Sequence, residues 1–485
     1  MRLLYYLLPA LSLAASPVPP VSAQTPDVAP VSAPAVLNSP FVVKPYLQWG
    51  NPDVKDAAKR LSVVWHAPDD TSAKWAVEVR RKNKWTTVPK SPAFQTVRVT
   101  TIEPHRVYTA ELSDLTPGLA NPYRVLRNGS PVFEATAMPP KSSGQKSRIV
   151  VFGDCGVNSA EQKAIAYQTY RAKPDYVFVT GDIVYGRGRV SEYRTKYFPI
   201  YNADNATRYD GVPLLRSTLF VAAPGNHDIL HPDFDQSPDG LAYFLYWKQP
   251  LNGPALIAGG PNTAPFVGDV NSQNAFKAAA GSAYPRMANF SFDYGDVHWT
   301  VLDANPYVNW SDPGMQEWLR QDLKSAQKAK WRFVGFHQPG FNSSVKHFGE
   351  QQMRVVAGLF EQGKVDLVLN GHVHNYQRSF PLRFVSAKGQ KNEGRKVDGT
   401  WTLDKVFDGV KRTKPSGVIY LVTGAGGANL YNPEQQTKPE SWQGFTDKFI
   451  SETHSLTLID VDGNRLRVQQ VDQEGKVVDT FTITK

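Results

Sequence analysis

An all-β region followed by an α/β domain is the fold class this sequence predicts, and three observations carry it. Between about Phe41 and Met138, short runs of β-formers recur between turn signals. After Pro139-Pro140-Lys141-Ser142-Ser143-Gly144, a linker by composition, the rhythm changes to strand, loop, helix. In that second part, five apolar runs each end in a turn that carries Asp, Asn or His.

The elements follow in order. Arg2, the short apolar run Leu3 to Ala15 and the small residues of Val21-Ser22-Ala23 read as a secretory signal over 1–23. The expected protein is therefore exported, secreted or periplasmic. Residues 24–40, rich in Pro, Ala and Ser, are expected to form a flexible leader. No later stretch reaches the ~20 apolar residues that a membrane span needs. LSVVW (61–65), WAVEVR (75–80), TVRVTT (96–101), RVYTAEL (106–112) and PYRVLR (122–127) then predict strands. Their spacing within 41–139 suggests a β-sandwich of immunoglobulin or fibronectin type III kind, and no catalytic cluster lies in it.

The α/β domain is expected over 147–485. RIVVFGD (148–154), DYVFVTGD (175–182) and TLFVAAPGNHD (218–228) are strands running into turns, and SAEQKAIAYQTYRA (159–172) is helical. Residues 230–290, with many Pro, Gly and Asn, read as an elaborated insertion. SFDYGDVHWTVLD (291–303) resumes strand character, and 313–330 reads as a helix. RFVGFHQPG (332–340) and DLVLNGHVH (366–374) repeat the strand-then-polar-loop pattern before a β-rich end from Gly417.

Composition bounds the function. A chain of 485 residues with one cysteine, Cys155, forms no intrachain disulfide, so its fold rests on its core. Cys155, between Asp154 and Gly156, reads as a small residue packed beneath a site. The net charge of +10 favours anionic ligands, but the basic residues are dispersed, which argues for a solvated surface over a nucleic-acid-binding domain.

The chemistry lies in the five turns. Asp154 sits in GDCG, Asp182 and Tyr185 in GDIVY, Asn226, His227 and Asp228 in GNHD, His337 in VGFH, and His372 with His374 in GHVH. Alone, histidines two apart on a loop are better explained by backbone hydrogen bonds, though such a pair could grip one metal or face two. Together the set offers oxygen and nitrogen donors of the kind that hold two cations about 3.5–4 Å apart for an in-line phosphoryl displacement. Imidazoles suit Fe, Zn or Mn better than Ca or Mg.

In this order, the five blocks resemble the metal-binding blocks of the purple acid phosphatases, within the calcineurin-like metallophosphoesterases. KPYLQ (44–48), FDYGDVHWTVLD and HNYQRSFP (374–381) extend the resemblance, which covers most of the chain from about residue 42. It implies an α/β (α+β) sandwich of two mixed β-sheets flanked by helices, preceded by the all-β fibronectin III-like domain. It also implies a dinuclear centre. Asp154, Tyr185 and His374 would bind a ferric ion, Asn226, His337 and His372 a divalent Zn, Fe or Mn ion, and Asp182 would bridge them. The implied reaction is hydrolysis of phosphate monoesters by a metal-bound hydroxide.

The resemblance further assigns His227 to phosphate contact and leaving-group protonation, with Asp228 orienting it, and His347 to the substrate side. Lys346 stands where plant-type members often carry histidine, and it can hold phosphate as a point charge. His66, His105, His231 and His298 lie outside the blocks and read as structural or surface residues. A phosphodiesterase on the same scaffold is the alternative activity, and a non-catalytic phosphate-binding surface protein the alternative class. The natural substrate and oligomeric state are not encoded in these motifs.

Overall fold

The computed structural model describes residues 39–50, 54–99, 101–230, 232–256, 259–387, 389 and 395–485. The expected signal at 1–23, nearly all of the leader at 24–40 and His231 lie outside the described residues.

The N-terminal runs of β-formers build two four-stranded antiparallel sheets. One has the order Val43–Gln48, Leu61–Pro68, His105–Leu112, Ala93–Val97; the other runs Lys84–Thr87, Trp75–Arg81, Asn121–Arg127, Ser130–Ala137. Alternation sets the faces: Trp75, Val77 and Val79 are buried while the residues between them are partly exposed. Trp65 stacks on Tyr108 inside, with ring centroids 5.3 Å apart. The expected strand at 96–101 differs: pairing covers Ala93–Val97 and stops short. Thr101 at φ +77° turns the chain, so backbone conformation overrides β-rich composition there.

The second part holds two mixed sheets. The first runs Leu219–Ala222, Tyr176–Val179, Ser147–Phe152, Ser455–Asp462, Arg465–Asp472, Val477–Thr484. The second runs Phe290–Tyr294, Val297–Val301, Trp331–Gly335, Leu367–Asn370, Ile419–Thr423, Tyr376–Ser379, Thr446–Ile450. Strands such as Tyr176–Val179, Leu219–Ala222, Trp331–Gly335 and Leu367–Asn370 are covered on both faces, which is why they read as unbroken apolar runs. Ile149, Val151 and Phe178 share one core with Trp299, Phe333 and Leu369 of the other sheet. Val150, Phe152 and Val177 face the opposite way, into a second core with Ile165 of the helix Ala160–Ala172. Val334 and Val368 meet Leu319 and Leu323 of the helix Pro313–Ser325 in a third.

At the sheet–sheet contact, the Phe178 and Trp299 rings stack with centroids 4.3 Å apart. Gly335 permits that approach, because a Cβ there would lie 2.3 Å from Phe178 Cζ. The N-terminal and second parts are joined closely, and residues 40–485 form one compact unit. The Leu47 amide donates to Leu215 O at 2.8 Å, Asn202 Nδ2 to Pro45 O at 3.1 Å, and Tyr46 Oη to Tyr246 O at 2.7 Å. Among the described residues of 230–290, helices Ala242–Tyr246 and Val270–Ala280 bring Phe244 and Phe276 against Tyr284.

Candidate metal centre

Strands that run parallel within a sheet end on the same side, and that side is where the five turns meet. Tyr176–Val179 is parallel to both of its neighbours, and Trp331–Gly335 is parallel to Leu367–Asn370. Asp154, Asp182 and Asn226 therefore leave one sheet beside His337, His372 and His374 from the other. Three of these residues hold left-handed backbone: Asp154 at φ +58°, Asp182 at +47° and His372 at +67°. Such conformations cost free energy in non-glycine residues and cluster at functional sites. The turns pack so tightly that a Cβ at Gly225 would lie 2.2 Å from Asp182 Oδ1, and one at Gly371 2.6 Å from Asp154 Oδ2.

The side chains gather in two groups. Tyr185 Oη lies 2.9 Å from Asp154 Oδ1 and 2.8 Å from His374 Nε2, which is itself 3.3 Å from Asp154 Oδ1. Asn226 Oδ1 lies 3.1 Å from His337 Nε2 and 2.9 Å from His372 Nδ1. Asp182 Oδ2 approaches His337 Nε2 at 3.2 Å, and the same nitrogen is 3.9 Å from Asp154 Oδ1.

The outer nitrogens of the three rings decide what the inner ones present. His337 Nδ1 donates to Thr180 O at 2.8 Å, and His374 Nδ1 to Asn429 O at 2.6 Å. A carbonyl accepts only from N–H, so in the neutral rings both Nε2 atoms carry lone pairs directed inward. His372 is turned the other way: its Nε2 faces Glu350 Oε2 at 3.0 Å and its Nδ1 points inward. Carboxylate, amide and imidazole lone pairs thus converge, an arrangement that suits cations and little else. Asp154 and Asp182 are buried with only histidines as ionic partners among the described residues. Burial alone would lower the pKa of His337, yet the two carboxylates raise it to about 9, a measure of their pull on positive charge. Burial would raise the Asp182 carboxyl, and His337 beside it carries it well below the usual range instead.

The remaining sequence candidates fall around this cluster. His227 donates Nδ1–H to Gly186 O at 2.8 Å, lies against the Tyr185 ring, and sets Nε2 4.0 Å from Asp182 Oδ2. Asp228 does not orient it, which corrects the expectation. Its carboxylate reaches back to the Gly225 amide at 2.8 Å and the Ile183 amide at 3.2 Å. Three residues into the short helix Asn226–Ile229, this is the capping position that satisfies a free N–H. Burial, with Asp182 nearby, raises Asp228 to about 7. His347 donates Nδ1–H to Glu350 Oε1 at 3.2 Å, and its ring is 4.3 Å from that of His372. Lys346 is exposed, with Nζ 3.5 Å from the centroid of the Tyr431 ring. Cys155 is buried below, its Sγ 3.6 Å from Ile183 O.

Two residues escaped the sequence reading. Glu350, also within 3.4 Å of Arg395, takes one histidine on each carboxylate oxygen. Its position three residues after His347 was the available signal. Tyr431 stacks on His374 with centroids 4.0 Å apart and planes at 12°. It lies in the glycine-rich stretch GAGGANLYNP, which carries no periodic pattern.

Residues 147–376 match the family model described as calcineurin-like phosphoesterase. That match spans all five donor-bearing turns, so this part of the chain is similar to a calcineurin-like phosphoesterase. Among curated proteins, the chain is similar to purple acid phosphatases. The chain is 26% identical over 416 residues to probable inactive purple acid phosphatase 1 of Arabidopsis thaliana, covering 79% of this chain and 58% of the relative. It is 28% identical over 307 residues to purple acid phosphatase 23 of the same plant, covering 61% and 55%. The chain thus spans a little over half the length of these relatives. The solved structure of PhoD superposes with a TM-score of 0.55 at 14% identity, over 93% of this chain and 94% of that one, and shares the fold. No helix among the described residues is long and apolar enough to cross a membrane.

Proposed function

We propose that this protein is an exported dinuclear-metal phosphatase that hydrolyses phosphate monoesters. The convergence of seven donors with inward lone pairs carries the reading, because it supports two neighbouring cations. Asp154, Tyr185 and His374 are the residues for a ferric ion, since a phenolate is a hard anionic donor. Asn226, His337 and His372 suit a divalent Zn, Fe or Mn ion, with Asp182 between the groups. Such ions, when bound, supply a water-derived nucleophile and neutralise phosphoryl charge.

The chain's own residues do the rest. Gly186 O holds the His227 ring by Nδ1–H, which leaves Nε2 facing the site to give a proton to the departing alkoxide. Glu350 holds His347 by Nδ1–H, so its Nε2, buried and without a hydrogen-bond partner among the described residues, is the atom left for phosphate. The domain boundaries at 41–139 and 147–485, the fibronectin III likeness and the signal at 1–23 belong to the same reading. One relative is named probable inactive; the full donor set here supports turnover.

The test is hydrolysis of a chromogenic phosphate monoester and the matching diester by the metal-loaded protein from pH 4 to 9. Monoester turnover well above diester turnover is expected. A diester preference would move the activity to a phosphodiesterase, and no turnover with both metals bound would point to a phosphate-binding protein.

A further inference from the structure

Tyr431 contacts two groups at once. The His374 imidazole lies parallel to its ring at 4.0 Å, and the Lys346 ammonium sits over its ring at 3.5 Å. One face of a phenol ring cannot accommodate both at those distances, so they occupy opposite faces. The ring is held in place by its backbone as well, because the Tyr431 amide donates to His374 O at 3.0 Å. A metal-type ligand, an aromatic plate and an ammonium are thus stacked outward from the site in that order. Cation–π attraction keeps the long lysine chain from roaming, at about 0.5–1 kcal/mol for an exposed pair.

The ammonium has no carboxylate partner among the described residues, whereas Arg395 is paired with Glu350. Tyr431 lies between it and His374, so it stands further out than the metal-type ligands. An ammonium so placed, with no carboxylate partner among the described residues, is open to an anion. We propose that Lys346, shelved on Tyr431, selects phosphate monoesters whose alcohol portion bears a second anionic group, a carboxylate or another phosphate. The inference rests on the phosphatase reading of the same site and names its substrate class.

The experiment compares phenyl phosphate with 3-carboxyphenyl phosphate, two monoesters whose phenols ionise alike, using the metal-loaded protein and its Lys346→Met variant. The readout is the ratio of kcat/KM for the two esters at low and high salt. The natural protein is expected to favour the carboxylated ester about fivefold at low salt, the size of one exposed ion pair. That preference should shrink with salt and fall to about one in K346M. A ratio near one in the natural protein, or a ratio that K346M leaves unchanged, overturns the inference while the phosphatase reading stands. Absence of turnover with either ester sinks both.

Discussion

At the scale of the residue, Glu350 is the side chain whose loss should teach most. Each of its oxygens accepts from a different histidine, so one carboxylate sets the tautomer of His372 and the direction of His347. A glutamine has a single acceptor oxygen and cannot serve both rings. Glu350→Gln should therefore weaken binding of the divalent ion about ten- to a hundredfold, the usual cost of losing an outer hydrogen-bond partner. Iron bound at Asp154, Tyr185 and His374 should be retained, since none of those touches Glu350. Metal analysis after dialysis against a graded chelator measures this, and an unchanged divalent content would refute it. Tyr185→Phe tests the other group: if Tyr185 ligates ferric iron as proposed, the iron-loaded natural protein should absorb visible light through its phenolate and the variant should not, read in a spectrophotometer.

Elements deliver these residues, and glycine governs how closely the turns approach. Gly225→Ala would drive a Cβ into the Asp182 carboxylate, so a loss of at least about 1–3 kcal/mol is expected, together with lower metal content. Gly358, in the helix Ala357–Gln362, has no heavy atom within 4 Å of the position a Cβ would take. Gly358→Ala should instead stabilise by about 0.5–1 kcal/mol through helix propensity. Denaturant unfolding of the two variants separates these signs. The same contrast explains what the sequence made legible. The ligand-bearing strands were readable because both faces are covered, which leaves unbroken apolar runs ending in polar turns. Glu350, Tyr431 and the true partners of Asp228 were not, because loop contacts between distant segments leave no period in the chain. The strands Lys84–Thr87 and Ser130–Ala137 went unseen for a related reason: they lie at sheet edges, mostly exposed, with polar residues that blur alternation.

For the whole molecule, buried histidines bound the pH range. Burial, aided by the charge of Arg194, lowers His105 to about 4, while Tyr246 Oη lies 3.0 Å from its Nε2. Below the ordinary value near 6.5 the unfolded chain binds the proton first, so stability falls from there down to about pH 4. A drop of roughly 3 kcal/mol follows from that shift. His298 behaves oppositely: burial would lower it, but Asp293 and Asp322 raise it to about 9. Its contribution is complete below pH 6.5 and fades as pH climbs through 9. Thermal melting across pH 4 to 10 should show both limbs, with His105→Gln flattening the acid one and His298→Gln the alkaline one.

The gathering of Asp154, Asp182, Asn226, His337 and His372 has a mechanical consequence. Ions seated there would rivet two sheets and five chain segments at one point, in a protein whose lone thiol cannot form an internal bridge. Withdrawing them with a chelator should act as reduction acts on a disulfide-bonded protein, loosening the whole assembly rather than merely silencing it.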